Sequence, residues 1–130
     1  MWRSEFWLRR HDIDGLGHLT ATSYLGLFEE TRAAWMTESH AMVYPTYVVA
    51  TQRIDYLREV TRANGPVTVT LAIEQLRMSS VHVVEQLAAA GIVRARSSAV
   101  LVMWDMQRRA ARPITDAERA VFERYLTTQA

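Results

Sequence analysis

The sequence of 130 residues contains no cysteine and no lysine. The first absence excludes disulfides, a thiolate nucleophile and cysteine-ligated zinc. The second excludes Schiff-base chemistry and the lysine of a phosphate-binding P-loop, because all fifteen basic residues are arginine. There are also no internal repeats and no low-complexity segments, so the whole chain is available for one folded unit.

Long apolar runs and blocks of one charge sign are missing as well. No stretch approaches the ~18 apolar residues that a membrane-spanning helix needs, and charge interrupts the apolar character of residues 1–7. We therefore expect no targeting peptide and a cytoplasmic location by default. A net charge of +1, with acids and arginines mixed along the chain, disfavours nucleic acid and membrane surfaces as partners. With 49% hydrophobic residues, the composition predicts one compact domain over 1–130.

Hydrophobic periodicity predicts the element order β-α-β-β-β-β-α. A short aromatic strand is predicted over 5–10, and a long amphipathic helix begins at Thr20, Thr22 or Ser23 and ends near Ser39. Further strands are predicted over 46–57, 67–74, about 80–88 and 92–104. A capping box, Thr115 to Glu118, predicts a short C-terminal helix through about Leu126.

The last three strands are joined by short turns, which predicts an antiparallel meander. One face of such a sheet must be covered, and the early helix is the element long and apolar enough to cover it. On that helix we assign Glu29, Glu30 and Arg32 to the polar side. In the last strand, Arg94 and Arg96 alternate with the small and apolar residues, so we assign the two arginines to the opposite face of the strand.

A turn-rich acidic loop, residues 12–18, precedes the helix and concentrates most of the ionisable groups. Its alternating carboxylates are similar to a calcium loop, but Leu16 would occupy a ligand position and Ser23 would replace the bidentate glutamate. His11 and His18 have no third metal ligand at short spacing. We therefore predict no metal site. On its residues alone, such a loop is typical of a turn and helix cap as well as of a catalytic site.

The loop and helix together resemble a known family motif. The pattern Asp12-x-Asp14-x-x-Gly17-His18-Leu19-x-x-x-x-Tyr24, continued by Leu27-Phe28-Glu29-Glu30-x-Arg32-x-x-Trp35, is similar to that of hot-dog-fold acyl-CoA thioesterases of the 4-hydroxybenzoyl-CoA thioesterase type. The resemblance continues through Ile54-Asp55-Tyr56-Leu57, Ser79-Ser80-Val81, residues 100–105 and Arg112-Pro113-Ile114. It implies an α+β hot-dog fold, with a five-stranded antiparallel sheet wrapped around one long central helix and a short C-terminal helix. It also implies a homodimer or a dimer of dimers, because the family builds its sites across a subunit interface.

The same resemblance implies the activity and the catalytic groups. In the family, the carboxylate matching Asp14 attacks the thioester carbonyl or activates the water that does. A backbone N–H seven residues later, here that of Ala21, polarises the carbonyl oxygen. The resemblance thus implies hydrolysis of a small or medium acyl-CoA or acyl-carrier-protein thioester, with no cofactor beyond the coenzyme A of the substrate. The positive end of the helix dipole would favour the ionised form of Asp14.

For several other residues, the sequence allows a role in the site and an alternative structural role. His18 orients Asp14 or a water, or it is a loop histidine bonded to backbone. Tyr24 belongs to the core or to the pocket wall, and Arg77, Arg94 and Arg96 are candidates for the phosphates of coenzyme A. Ser79 and Ser80 place a water or belong to a turn. The predicted substrate-binding set comprises Gly17, Thr20, Tyr24, Tyr56, Arg77, Ser79 and Ser80.

Two alternatives to the thioesterase remain open. A hot-dog enoyl-CoA hydratase needs an Asp-x-Asn-Pro-x-His loop, whereas Asp14 and His18 are four residues apart here and the Asn-Pro is missing. A catalytically silent acyl-binding or assembly protein would keep the fold alone. Where many family members have two asparagines, this chain has Thr20 and Ala21, so Ala21 offers only its backbone donor.

Overall fold

A long helix packs against one face of an antiparallel sheet. The computed structural model describes residues 1–127. The strands are β1 (Trp2–Phe6), β2 (Tyr47–Tyr56), β3 (Val67–Leu76), β4 (Ser80–Ala89), β5 (Ile92–Asp105) and β6 (Ala110–Ala111). The helices are α1 (Ala21–Glu38) and α2 (Asp116–Phe122). Short 3-10 turns occur at Arg10–Asp12, Arg62–Asn64 and Glu123–Tyr125.

The strands lie in the order β1-β3-β4-β5-β2, and every neighbouring pair is antiparallel. The predicted meander is therefore confirmed as β3-β4-β5. The long strand β2 precedes the meander in the chain and pairs with β5 at the far side of the sheet. The predicted five-stranded sheet with one long helix is confirmed, with the two-residue β6 as an addition beside β5.

The first strand lies earlier than the predicted range 5–10. Its ladder begins with Trp2 opposite Leu71 and ends with Phe6 opposite Val67. Since β3 begins at Val67, the chain after Phe6 has no strand to pair with and turns away. The aromatic composition of 5–10 indicated a strand, but the length of β3 decides where its partner ends.

Two apolar clusters lie between α1 and the sheet. The first surrounds the N-terminal half of the helix, where Phe28 packs with Val69 and its neighbours. The second surrounds the C-terminal half, where Trp35 packs with Leu71 and with Phe122 of α2. The predicted alternation in β3 is confirmed, since its buried residues are Val67, Val69, Leu71 and Ile73. Burial of both clusters is the main force that holds the helix on the sheet.

The assignment of Arg32 to the polar side of the helix is wrong. Its side chain is fully buried and faces the sheet. Arg32 Nε and Nη2 donate to the two carboxylate oxygens of Glu85 on β4, at 2.8 and 2.7 Å. Ser97 Oγ donates to the same carboxylate at 2.9 Å. A bidentate pair with an extra donor is the geometry in which two buried charges offset their loss of hydration.

The second helix begins with the predicted capping box and is shorter than predicted. Thr115 Oγ1 accepts from the backbone N of Glu118 at 3.1 Å, and the Glu118 carboxylate accepts from Thr115 N at 2.9 Å. Arg112 donates two hydrogen bonds to this carboxylate, at 2.8 and 2.9 Å. Burial by itself would raise the pKa of Glu118, but the hydrogen bonds from Arg112 and Thr115 outweigh it and hold the pKa below its usual value. The α-helix ends at Phe122 and continues as a 3-10 turn, not through Leu126.

We expect Glu118→Gln to destabilise the protein at neutral pH and to lose this effect in acid. The folded-state pKa of Glu118 lies below the usual value of 4.5. The carboxylate therefore contributes its stability above that value and loses it as the pH falls through the folded-state pKa. Urea denaturation of both proteins at a series of pH values from neutral to acidic measures this difference. A difference in unfolding free energy that does not change with pH would contradict the assignment.

Candidate active site

Backbone pairing holds the acidic loop against the segment that follows β2. Ile13 and Leu19 form an antiparallel bridge across the loop, and His18 forms a second one with Thr61. Leu19 N also donates to the carbonyl oxygen of Val60 at 2.8 Å. The loop is therefore closed on itself and attached to residues 60 and 61, which sets its position at the start of α1.

The first aspartate of the loop is a structural residue. Asp12 is 1% exposed and accepts from Arg9 N at 2.7 Å and from Ser23 Oγ at 2.8 Å. Burial alone would raise the pKa of Asp12, but these hydrogen bonds and the Arg9 side chain outweigh it and hold the pKa below its usual value. Both carboxylate oxygens are occupied, and they join the loop to the first turn of α1.

The second aspartate, Asp14, is exposed and has one oxygen free. Its Oδ1 accepts from His18 N at 3.0 Å and from Leu16 N at 2.8 Å. Within residues 1–127, no hydrogen bond engages its Oδ2. The hydrogen bond from the His18 backbone, with that from Leu16, holds the pKa of Asp14 below its usual value. Asp14 is therefore an ionised carboxylate at neutral pH, with an oxygen available for a substrate.

Helix α1 begins beside this loop with unpaired backbone donors. Thr20 is the N-cap, as one of the three predicted positions, and its Oγ1 accepts from Ser23 N at 3.1 Å. Among the residues that the structure describes, none accepts a hydrogen bond from the N–H of Ala21. The first N–H groups of a helix carry the positive end of its dipole and are open to a ligand oxygen.

A cavity of about 360 Å³ opens at this end of α1, and we call it the helix-start cavity. Its wall residues are His18, Leu19, Ala21, Tyr24, Tyr56, Leu57, Arg58, Glu59 and Val60. The rings of Tyr24 and Tyr56 meet edge to face, with their centroids 4.9 Å apart. Four residues of the predicted site, His18, Ala21, Tyr24 and Tyr56, thus line one cavity. Asp14 is not a wall residue, but its carboxylate is joined to the wall by the hydrogen bond from His18 N.

Glu59 is a wall residue that the sequence analysis missed. Its Oε2 lies 2.6 Å from His18 Nε2, because the bridge between His18 and Thr61 brings the two segments side by side. His18 therefore contacts Glu59 with its ring and Asp14 only with its backbone. No local motif joins positions so far apart in the chain, so the sequence contains no pattern that would have revealed the contact.

The sequence of this chain matches a known protein family. A model of the thioesterase-like superfamily matches residues 8–122. The chain belongs to this superfamily. Among curated proteins, none matches the sequence at a significant level.

Solved structures of similar fold agree with the hot-dog architecture. A predicted thioesterase from Bacillus stearothermophilus is 22% identical, with a TM-score of 0.86 over 99% of this chain and 98% of that one. A thioesterase from Thermus thermophilus, complexed with coenzyme A and Zn, is 25% identical, with a TM-score of 0.84 over 95% and 92% of the two chains. A hypothetical protein from Staphylococcus aureus in complex with CoA is 17% identical, with a TM-score of 0.88 over 99% and 85%.

The thioesterase-like chain does not bring every predicted residue to the helix-start cavity. Arg77, Ser79 and Ser80 lie at the turn between β3 and β4, where Ser80 pairs with Val102. Tyr56 pairs with the other end of β5, at Ala95. The carbonyl oxygen of Ser80 accepts from Arg77 N at 2.9 Å within this turn, and that of Ser79 accepts from Met103 N of β5 at 2.8 Å. A substrate-binding role for these three residues stays a prediction, since within one chain they do not line the helix-start cavity.

The phosphate-binding assignment of Arg94 is wrong, and so is its predicted parity. Its side chain is buried, donating to the carbonyl oxygen of Ala89 at 3.0 and 3.1 Å and to that of Glu59 at 3.1 Å. A register shift between Leu87 and Ala88 leaves Arg94 as the extra residue of a bulge, which turns it inward. Its guanidinium is therefore occupied in holding residue 59 at the cavity wall.

Arg96 lies on the face of the sheet away from α1. It alternates with the buried Ala95 and Ser97 along β5, so its side chain points to the opposite face. There it lines a second cavity of about 420 Å³ together with Arg53 and Met1. Within one chain, Arg96 is therefore not a residue of the helix-start cavity.

Within residues 1–127, no three His, Asp or Glu residues are grouped so as to hold a metal ion. None of the helices in this region has the length and apolar composition required to cross a membrane.

Proposed function

We propose that this protein hydrolyses acyl thioesters at the helix-start cavity. The observation that carries the proposal is the ionised Asp14 carboxylate with a free oxygen, joined by a hydrogen bond to a cavity that is also lined by Ala21, whose N–H is unpaired among the described residues. Membership of the thioesterase-like superfamily supports thioester chemistry. The two similar structures that contain coenzyme A support an acyl-CoA as the substrate, and an acyl-carrier-protein thioester offers the same bond.

In the proposed mechanism, Asp14 acts as the nucleophile. Its Oδ2 bonds to the thioester carbonyl carbon, and the carbon–sulfur bond breaks to release the thiolate. Hydrogen bonds from the backbone of His18 and Leu16 hold the pKa of Asp14 below its usual value, so this carboxylate stays ionised, as an attacking group must be. The acyl anhydride formed on Asp14 is then hydrolysed by water.

The N–H of Ala21 receives the charge that develops on the carbonyl oxygen. A fixed backbone donor at a helix start needs no reorganisation during the reaction, and removal of one such donor typically lowers the rate by ~10²–10³. A backbone donor is independent of the side chain, so alanine at this position is compatible with the role. The reaction as proposed uses side chains, backbone amides and water, with no resident cofactor.

The size and composition of the cavity support a small or medium acyl group. A volume of about 360 Å³ is near the lower end of the range for ligand pockets. The wall combines the two tyrosine rings with the apolar side chains of Leu19, Leu57 and Val60. Such a wall suits an apolar or aromatic acyl chain more than a charged one.

We further propose that two copies pair through β2. This ten-residue strand lies at one edge of the sheet, and Val48 and Val49 on it are 38% and 40% exposed. An open edge of this length is a template for a second strand. Antiparallel pairing of two β2 strands would place the Tyr47 end of one copy beside the Tyr56 end of the other, and so bring Ser79 and Ser80 of one copy toward the cavity of the other.

Free-thiol detection with short, medium, long and aromatic acyl-CoA esters tests the function. We expect thiol release from the short and medium or aromatic esters and little from long ones. Absence of thiol release from every ester would refute the proposal. If thermal shift then still showed acyl-CoA binding, the acyl-binding alternative would replace it. The hydratase alternative gains no support, because the His18 ring contacts Glu59 and not Asp14.

A further inference from the structure

His18 and Glu59 lie in contact on the wall of the helix-start cavity. We infer that they form its proton-transfer pair, in which Glu59 positions the ring and His18 takes the proton of the water that completes hydrolysis. The inference rests on the proposed thioester hydrolysis and adds a positioning residue, Glu59, that the sequence motif does not contain. His18 is the group that would touch the reacting water.

The contact itself sets the state of the histidine ring. Glu59 Oε2 lies 2.6 Å from His18 Nε2, and a carboxylate that faces one ring nitrogen so closely favours the proton on that nitrogen. A neutral imidazole that donates through Nε2 keeps Nδ1 as its acceptor. Glu59 therefore selects the tautomer of His18 in which Nδ1 is free to accept a proton from water.

The position of both residues is set without this contact. The His18 backbone is held by the bridge to Thr61 and by its hydrogen bond to Asp14. The Glu59 backbone is held by the guanidinium of Arg94. The two side chains are 40% and 60% exposed, and a pair so open to water adds little to stability. What the contact decides is the orientation and tautomer of the ring.

The other ionisable wall residues do not offer this acceptor. Tyr24, Tyr56 and Arg58 also line the cavity, and as side-chain types they present O–H or N–H donors at neutral pH. In the proposed mechanism the Asp14 carboxylate is bonded to the acyl carbon when the water attacks, so it cannot take the proton of that water. The two tasks are therefore divided between Asp14 and His18.

The reaction has two halves. In the first, Asp14 Oδ2 bonds to the acyl carbon, and the electron pair of the carbon–sulfur bond leaves with the thiolate. In the second, the oxygen of a water bonds to the acyl carbon while one of its protons passes to His18 Nδ1. The bond between the acyl carbon and Asp14 then breaks, which restores the carboxylate, and the imidazolium returns its proton to solvent. The histidine is needed only in the second half-reaction.

Pre-steady-state thiol release from Glu59→Leu tests the inference. Leucine offers no acceptor in place of the carboxylate, so the ring loses the group that selects its tautomer. We expect a burst of one thiol per active site at the wild-type rate, followed by turnover with kcat reduced by about 10². KM should fall in proportion and kcat/KM should stay unchanged, because only the step after thiol release is slowed. Glu74→Leu, at an exposed residue of β3 outside the cavity, is the matched control and should behave as the wild type.

A second variant distinguishes the loss of the base from a folding defect. His18→Ala should show the same burst and the same loss of kcat, and added imidazole should restore turnover because it replaces the missing base. Wild-type kcat in Glu59→Leu, or a loss of kcat without a burst in both variants, would overturn the inference. A wild-type protein that releases no thiol from any ester would instead refute the proposed function, before any variant is compared.

Discussion

Asp14→Asn should reduce thiol release by at least about 10² while the protein stays folded. The neutral amide cannot serve as the attacking group. Its oxygen can still accept from Leu16 N and His18 N, the two hydrogen bonds that shape the loop. The variant therefore removes the reactive charge and preserves the loop geometry. The measurement is kcat from free-thiol release, with thermal unfolding as the check on folding.

Asp105→Asn is the matched control for this variant. Asp105 is a carboxylate at the end of β5 whose Oδ1 accepts from two backbone N–H groups, of Gln107 at 2.9 Å and Arg108 at 3.0 Å. The hydrogen bond from the Arg108 backbone, with that from Gln107, also lowers the pKa of Asp105. The two aspartates thus share their local structure and differ in location. Retention of wild-type kcat in Asp14→Asn, or an equal loss in both variants, would refute Asp14 as the nucleophile.

Glu85→Gln should lower the free energy of unfolding by about 3–5 kcal/mol. The substitution leaves the fully buried guanidinium of Arg32 without a counter-charge. Within the described residues, Arg32 Nη1 already has no hydrogen-bond partner, so the site has no spare acceptor to compensate. Urea denaturation monitored by tryptophan fluorescence measures the loss.

Two further variants show whether the buried charge is the cause. Replacement of both partners, Arg32→Met with Glu85→Leu, should recover most of the lost stability, because no uncompensated charge remains. Arg53→Met removes one partner of the exposed pair with Asp55 and should change the stability by less than about 1 kcal/mol. A Glu85→Gln effect as small as that of Arg53→Met would contradict the account of a buried ion pair.

Local patterns in the sequence were sufficient to predict most of the secondary structure. The period of two in β3, the cap at Thr20 and the box from Thr115 to Glu118 each depend on residues within a few positions of one another. The two caps serve backbone hydrogen bonds that are also local, and the period of two follows from the alternation of side chains along any strand. The predicted position of β1 was wrong, since the end of a strand depends on the strand with which it pairs, here β3.

Local sequence patterns likewise predicted only part of the candidate site. The resemblance of the 12–35 stretch to the thioesterase motif predicted an active site made of the acidic loop, Asp14 and the backbone donor of Ala21. It did not distinguish the buried, structural Asp12 from the exposed Asp14 by environment. That distinction follows from hydrogen bonds to Arg9 and Ser23 in one case, and from an open carboxylate oxygen in the other.

The sequence by itself determined the fold class and the order of the elements, and it predicted the acidic loop as the candidate active site. Only the tertiary structure decided that Arg32 faces Glu85, that a bulge turns Arg94 inward, and that His18 meets Glu59. Each of these pairs residues from segments far apart in the chain, and each depends on strand register or helix rotation. No local period encodes such a contact, because the free energy that selects it comes from packing the whole sheet against α1.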